Sequence, residues 1–539
     1  MAARIHPTYL TIQLAAMEIS PPLLLSTLAL SVLVWYVFFS RAGKSRAPLP
    51  PGPRGWPVLG NLPQLGGKTH QTLHEMTKVY GPLIRLRFGS SDVVVAGSAS
   101  VAAQFLRTHD ANFSSRPHNS GGEHMAYNGR DIVFGPYGPR WRTMRKVCAV
   151  NLFSARALDD LRAFREREAA LMVRSLAKAS ATPESPAVVL GKEVNVCTTN
   201  ALSRAAVGRR VFAAGAGDGE GAREFKEIVL EVMEVGGVLN VGDFVPALRW
   251  LDPQGVVARM KKLHRRFDDM MNAIIAERKA GVKPAGSEEG KDLLGLLLAM
   301  AEEQESVAGA EEEKITDTEI KALVLNLFVA GTDTTSTIAE WTVAELIRHP
   351  DILKQAQEEL DAVVGRERLL SESDLPRLTF FHAIIKETFR LHPSTPLSLP
   401  RMASEECEVA GYRVPKGAEL LVNVWGIARD PSIWPDPLEY KPARFLPGGT
   451  HANVDVKGND FGLIPFGAGR RICAGLSWGL RMVTMTAATL VHAFDWKLPA
   501  GQTPDKLNMG EAFTLLLQRA EPLVVHPVPR LLPSAYNIA

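Results

Sequence analysis

Cysteine is scarce in this sequence, net charge is small for its length, and internal repeats are absent. The four cysteines, Cys148, Cys197, Cys407 and Cys473, stand far apart. That spacing excludes the paired ligands of a zinc site and the framework of a small secreted disulfide protein. It suits a reducing compartment, in which any special cysteine acts alone. A formal net charge of +3 over 539 residues gives no case for nucleic acid as a partner. The length exceeds the roughly 250–300 residues at which single cores usually stop growing. No long linker divides the middle, however, so one large domain is expected.

One long hydrophobic run is present. Residues 21–39 carry no charge and are almost wholly apolar, and a span needs ~20 residues for ~30 Å of hydrocarbon. A basic cluster follows the run where a cleaved signal peptide would carry small residues, so the segment reads as a retained anchor. Arg41, Lys44 and Arg46 follow it and only Arg4 precedes it. The positive-inside rule then puts the rest of the chain in the cytosol, with Trp35 and Tyr36 near the interface. Pro48-Leu49-Pro50-Pro51-Gly52-Pro53 reads as a stiff, extended spacer. The expected organisation is an N-terminal extension at 1–20, a transmembrane anchor at 21–40, a basic and proline-rich hinge at 41–60, and the large domain at 61–539. Met17 opens a shorter anchor sequence, so residues 1–16 are expected to be dispensable. The lone sequon Asn112-Phe113-Ser114 is expected to stay unmodified in a cytosolic domain.

Leu83–Phe88 and Val93-Val94-Val95 flank Gly89-Ser90-Ser91-Asp92 and predict a β-hairpin. Residues 150–400 have helical texture, with loops expected near 183–186, 215–221 and 283–290. Glu311-Glu312-Glu313 reads as a solvated face before a helix. Short strands such as Glu419–Val422 appear after 400. The fold class is mainly α with a minor β part, preceded by one transmembrane helix.

The segment Phe466-Gly467-Ala468-Gly469-Arg470-Arg471-Ile472-Cys473-Ala474-Gly475 is a glycine-rich loop suited to bringing backbone close to something flat and bulky. Small residues let N–H groups approach the sulfur and tune a metal thiolate. Arg471 can pair with an anionic group, Phe466 can shield the sulfur, and the helix that begins after Gly475 favours the thiolate. Upstream, Ile320, Leu323, Val324, Leu327, Phe328 and Gly331 form a helical stripe. Gly331 costs ~1 kcal/mol relative to Ala there, which a close backbone approach or a local kink would compensate. Asp333 and Thr334 on the same helix supply an acid and a hydroxyl for proton transfer. Glu387 and Arg390, at i and i+3, share one helix face.

The cysteine loop matches F-x-x-G-x-R-x-C-x-G in full and resembles the haem-binding signature of the cytochrome P-450 superfamily. The other family motifs follow in order over nearly all the chain. The resemblance implies a cytochrome P-450 fold acting as a haem-thiolate monooxygenase with haem b. Cys473 would be the axial iron ligand, with Phe466, Gly469 and Arg471 around the cofactor. Asp333 and Thr334 would deliver protons for oxygen activation. Trp141 and Arg145, in a W-x-x-x-R motif, would bind a haem propionate, with Arg401 a further candidate. Glu387 and Arg390 would join Arg444, in Pro442-Ala443-Arg444-Phe445, as a buried structural triad. O2 would be the co-substrate, and NADPH the donor through NADPH–cytochrome P-450 reductase. Arg142, Lys146 and Arg470 are expected to offer that partner a positive face. The location implied is the endoplasmic reticulum membrane, with lipid around a single span.

Gly121-Gly122-Glu123-His124-Met125-Ala126-Tyr127-Asn128 and Val454-Asp455-Val456-Lys457-Gly458-Asn459-Asp460-Phe461 are similar to segments of plant flavonoid B-ring hydroxylases. A small phenolic substrate such as naringenin, apigenin or chrysoeriol is implied. Its pocket would draw on 120–127, 328–332, 395–399 and 512–516, with Glu123, Phe328, Thr332, Ser398, Thr514 and Leu516 as expected contacts. Thr514 and Leu516 stand where 3′-hydroxylases of this group carry Gly and Thr, and Gly462 where an acid is usual. Those departures leave 3′ against 5′ hydroxylation open. Other phenolic or terpenoid substrates, a reductase-independent haem-thiolate isomerase or dehydratase, and a haem sensor or electron carrier are the rival readings.

Overall fold

The computed structural model describes residues 47–180, 186–212, 220–282, 292–305 and 314–537. The expected anchor at 21–40 and the acidic run at 311–313 lie outside them, as do most of the three expected loops. Among the described residues no helix is long and apolar enough to cross a membrane.

Six of the helices frame the site: α1 (Pro139–Asn151), α2 (Leu190–Val207), α3 (Asp317–Gly331), α4 (Asp333–Arg348), α5 (Thr379–Leu391) and α6 (Leu476–Ala493). Strands β1 (Leu83–Phe88), β2 (Ser91–Ala96), β3 (Arg401–Met402) and β4 (Glu419–Val422) form a sheet in the order β1-β2-β4-β3. The architecture is mainly helical with a minor sheet part, as expected.

The hairpin forms with Phe88 opposite Ser91, so its turn is only Gly89-Ser90, two residues shorter than the sequence predicts. Gly89 has φ +55°, which a two-residue hairpin turn of this kind requires. The proline-rich segment runs along β1: Arg85 N–H donates to Pro51 O at 2.8 Å, and Asn61 N–H to Arg87 O at 2.6 Å. β4 pairs parallel with β2 and antiparallel with β3, which fixes Arg401 on the sheet. A bridge between Ser115 and Met402 then brings Arg116 alongside it.

A capping box starts α3: Thr316 Oγ1 accepts from Glu319 N–H, and Thr316 N–H donates to Glu319 Oε2 at 3.0 Å. The helix is interrupted at Thr332, where ψ falls to −70°, and resumes as α4. Gly331 packs so closely on α2 that a Cβ would lie 2.6 Å from Leu202 Cδ2. Close approach and kink therefore coincide at this glycine. α3, α4 and α6 share one continuous apolar core with α2 and α5.

Candidate active site

The cysteine loop is shaped by its two left-handed glycines, Gly467 and Gly469, both at φ +70°. At Gly469 a Cβ would meet Asp110 Oδ1 at 2.3 Å and Leu106 O at 2.5 Å, so only glycine fits. Cys473 N–H donates back to Phe466 O at 3.0 Å, which closes the loop. Cys148 and Cys197 are buried, whereas Cys473 keeps an open surface. That surface faces a cavity of about 260 Å³ inside the protein. Burial pushes the Cys473 thiol up, while the Gly475 N–H and the Arg145 guanidinium pull it down. Desolvation thus outweighs the advantage expected from the helix N-terminus.

Arg116, Arg145, Arg401 and Arg471 line the same cavity, and among the described residues no carboxylate does. Burial lowers the pKa of all four, that of Arg401 and Arg471 to about 10. Their fixed partners are mostly carbonyls. Arg145 donates to Ile472 O at 2.6 Å and Arg401 to Ala468 O at 2.7 Å. Arg116 donates to Leu399 O and Pro400 O at 2.8 and 2.7 Å. Arg471 donates to Ser114 O at 2.6 Å and Gly135 O at 2.5 Å, and stacks over Trp141. The acids behind the wall are Asp110, 3.5 Å from Arg401 and 3.1 Å from Arg470, and Asp131. The four cavity arginines, with Arg470 behind them, outnumber these two acids, and one thiol stands open beside them. The donor set fits haem b, which offers iron to the thiol and two propionates to the guanidiniums.

Of the residues expected around the cofactor, Cys473, Phe466, Arg471, Trp141, Arg145 and Arg401 line the cavity. Gly469 does not; it packs on Asp110 instead. Trp141 Nε1 is committed to Ile132 O at 3.0 Å. Phe466 packs against Phe389, ring centres 5.0 Å apart.

The acid–threonine pair is divided between two environments. Thr334 lines the cavity, its hydroxyl donating to Ala330 O at 2.8 Å. Asp333 turns to α2 and accepts from Asn195 Nδ2 at 2.5 Å; burial pushes its pKa up. Ser398, at φ +55°, lines the cavity with Thr395 and Leu399.

Five expected substrate contacts do not line it. Glu123 pairs with Arg249 and, at 3.2 Å, with His118. Phe328 is wholly buried in the core, and Thr332 donates to Phe328 O at 2.9 Å. Leu516 is buried, and Thr514 sits against Gly237. Periodicity identifies the apolar face of a helix but not which of its residues meet a cavity.

The triad assembles in full. Glu387 accepts from Arg390 at 2.7 and 2.8 Å and from Arg444 at 3.1 Å, all three buried. Carbonyls of Ala428, Pro437 and Glu439 take the other Arg390 donors. Arg142, Lys146 and Arg470 are exposed, although Arg470 is partnered by Asp110 and Tyr137. Arg116, Asp110, Asn195, Asp131 and Asn326 escaped the sequence reading; each stands alone in a stretch without a motif.

Residues 50–525 match the family model described as Cytochrome P450. The chain is 88% identical over 536 residues to flavonoid 3'-monooxygenase CYP75B4 of Oryza sativa subsp. japonica, covering 98% of this chain and 100% of that one. It is 55% identical to flavonoid 3',5'-hydroxylase CYP75B138 of Crocosmia x crocosmiiflora, covering 96% and 98%. A solved zebra fish cytochrome P450 with abiraterone superposes with a TM-score of 0.68 at 24% identity, covering 86% of this chain and 99% of that one.

Proposed function

The chain belongs to the cytochrome P450 family, and from that premise we propose that it is a monooxygenase hydroxylating the flavonoid B-ring at the 3′ position. The observation that carries the reading is a cysteine open to a carboxylate-free cavity walled by four arginines. The substrate class rests on relatives whose names give flavonoid hydroxylation. A second reading, with 5′ hydroxylation added, is favoured by the relative named as a 3',5'-hydroxylase.

In this reading Cys473 Sγ would hold the iron, and Arg116, Arg145, Arg401 and Arg471 would hold the propionates. Bound there, haem would supply an iron centre for dioxygen activation, tuned by the cysteine sulfur. Phe466, packed on Phe389, keeps water from the sulfur. Thr334 Oγ1 is a hydroxyl that this helix offers to the cavity, with Thr335 beside it. Asp333 is the proton reserve: burial raises its affinity for a proton, and Asn195 holds its carboxyl against α2. Leu327, Leu399 and the Ser398 hydroxyl supply apolar wall and polar contact for a planar phenol.

The organisation that goes with this function is an anchor at 21–40, a hinge at 41–60 and a catalytic domain at 61–539. The protein would sit in the endoplasmic reticulum membrane and take electrons from NADPH–cytochrome P-450 reductase at the face of Arg142, Lys146 and Arg470. Microsomes carrying this chain and a plant reductase, supplied with NADPH, test the proposal. Naringenin, apigenin, chrysoeriol and a coumaroyl ester are offered in parallel. Product hydroxylated on a flavonoid B-ring is expected, and the 3′ to 5′ ratio separates the two readings. Turnover without NADPH would sink the monooxygenase, and failure on every flavonoid would discard the substrate class.

A further inference from the structure

We propose that Asn326 and Asp131 form a positioning pair that aims Arg116, Arg471 and Trp141 at the acidic edge of the cofactor, an inference that rests on the haem-binding reading above. Asn326 belongs to α3 and lines the cavity; Asp131 lies in the turn before α1. Both are buried, at 6% and 5% exposure. An amide and a carboxylate at such depth are costly unless every lone pair and proton is matched.

Here the match extends over four consecutive N–H groups. Asn326 Oδ1 accepts from Ile132 N–H at 3.1 Å and Val133 N–H at 3.2 Å. Asp131 Oδ1 accepts from Phe134 N–H at 2.8 Å and Gly135 N–H at 3.0 Å. Asn326 Nδ2 donates to Asp131 Oδ2 at 2.7 Å and joins the two halves. Backbone N–H groups can only donate, so the amide orientation is fixed by its partners. Asp131 meets donors on both oxygens, and these donors with Arg471 favour the ionised carboxylate against burial, which pushes its pKa up. A Cβ at Gly135 would lie 2.2 Å from Asp131 O, so the tight turn also demands glycine there.

With its N–H groups taken, the turn directs its carbonyls to the cationic wall. Ile132 O receives Trp141 Nε1 at 3.0 Å and Arg471 Nη1 at 3.3 Å. Val133 O receives Arg116 Nε at 3.1 Å, and Gly135 O receives Arg471 Nη2 at 2.5 Å. Asp131 also acts on Arg116 and Arg471 through its charge. One side-chain pair thus orients three propionate-side groups. Because Asn326 stands on α3, it also ties them to the helix leading to Thr334.

The test uses the full-length holoprotein and three variants: Asn326→Leu, Asp131→Asn, and the exchange Asp131→Asn/Asn326→Asp. The exchange can remake every bond of the pair with amide and carboxylate reversed. Haem transfer to excess apomyoglobin, the haem reduction potential and thermal unfolding are measured together. Asn326→Leu is expected to release haem about 10-fold faster, with unfolding still cooperative. Asp131→Asn should raise the potential, since removing a negative charge favours the reduced cofactor. The exchange should return release to within about 2-fold of the parent, a rescue expected of a remade hydrogen-bond set. Unchanged release in Asn326→Leu, or an exchange no better than either single variant, would overturn the pair. If Asn326→Leu does not fold, Asp131→Asn and the exchange carry the same comparison. A parent chain that takes up no haem overturns the cofactor reading first, and this inference with it.

Discussion

Two clusters of buried arginine differ in one respect that separates architecture from function. Arg390 and Arg444 close on Glu387, and the carbonyls around them take their remaining donors. Arg401 and Arg471 are buried, and Arg116 and Arg145 half-buried, around a cavity with no carboxylate among the described residues of its lining. The first cluster is complete as folded. The second holds its cations on backbone carbonyls and keeps charge to spare. Buried charge is tolerated only where it is paired, so an incomplete cluster marks the place where a ligand finishes the structure.

The largest expected effect comes from opening the closed cluster. Glu387→Ala strands two buried guanidiniums and should destabilise the fold by about 3–5 kcal/mol. The measurement is folded yield and thermal unfolding with and without added haem, and haem should not rescue the variant.

A second closed cluster, around Glu511, sharpens the comparison by acid. His70 and Gln71 approach its carboxylate at 3.1 and 3.0 Å, Trp425 Nε1 at 3.1 Å and Arg429 at 3.5 Å. Burial opposes ionisation, yet these partners hold the Glu511 pKa down at about 2 against an ordinary 4.5. A carboxyl depressed on folding contributes its stability above the unfolded pKa and loses it as pH falls through the folded one. About 3 kcal/mol should therefore fade between pH 4.5 and about 2. Acid unfolding of Glu511→Gln should lack that component.

Filling or emptying the open cluster should do the reverse of breaking the closed one. Arg401→Ala removes a cation but leaves Asp110 paired with Arg470, so unfolding of the haem-free protein should shift little. Haem binding should weaken by about 10-fold, the loss of a charged hydrogen bond of about 1.5 kcal/mol. A large loss of stability with unchanged haem affinity would move Arg401 to the structural class.

How much of this was legible in the sequence follows the same division. Glu387, Arg390, Arg444, Trp141, Arg145 and Cys473 sit in short motifs that resemble those of the family, and the resemblance rather than spacing alone implied their roles. The hairpin and the kinked α3–α4 pair were equally readable, because turn glycines and helical periodicity are local. Asn326 was not: it interrupts an apolar helix, and its partner lies nearly 200 positions earlier, in a turn without periodicity. Arg116 and Asp110 likewise meet the site only through residues far away in the chain, Arg116 through the Leu399 and Pro400 carbonyls and Asp110 through Arg401 and Arg470. Five of the six expected substrate contacts fall outside the cavity lining for a related reason. Glu123 could not be told from a surface acid until Arg249 was seen beside it.

The most direct measurement is the carbon monoxide difference spectrum of the reduced protein, recorded for the parent chain, Cys473→Ser and Cys148→Ser. The parent and Cys148→Ser should show the red-shifted Soret band of a thiolate ligand, and Cys473→Ser should lose it while remaining folded. Retention of that band in Cys473→Ser, or its loss in Cys148→Ser alone, would contradict the assignment of the open cysteine and the open arginine cluster to one cofactor.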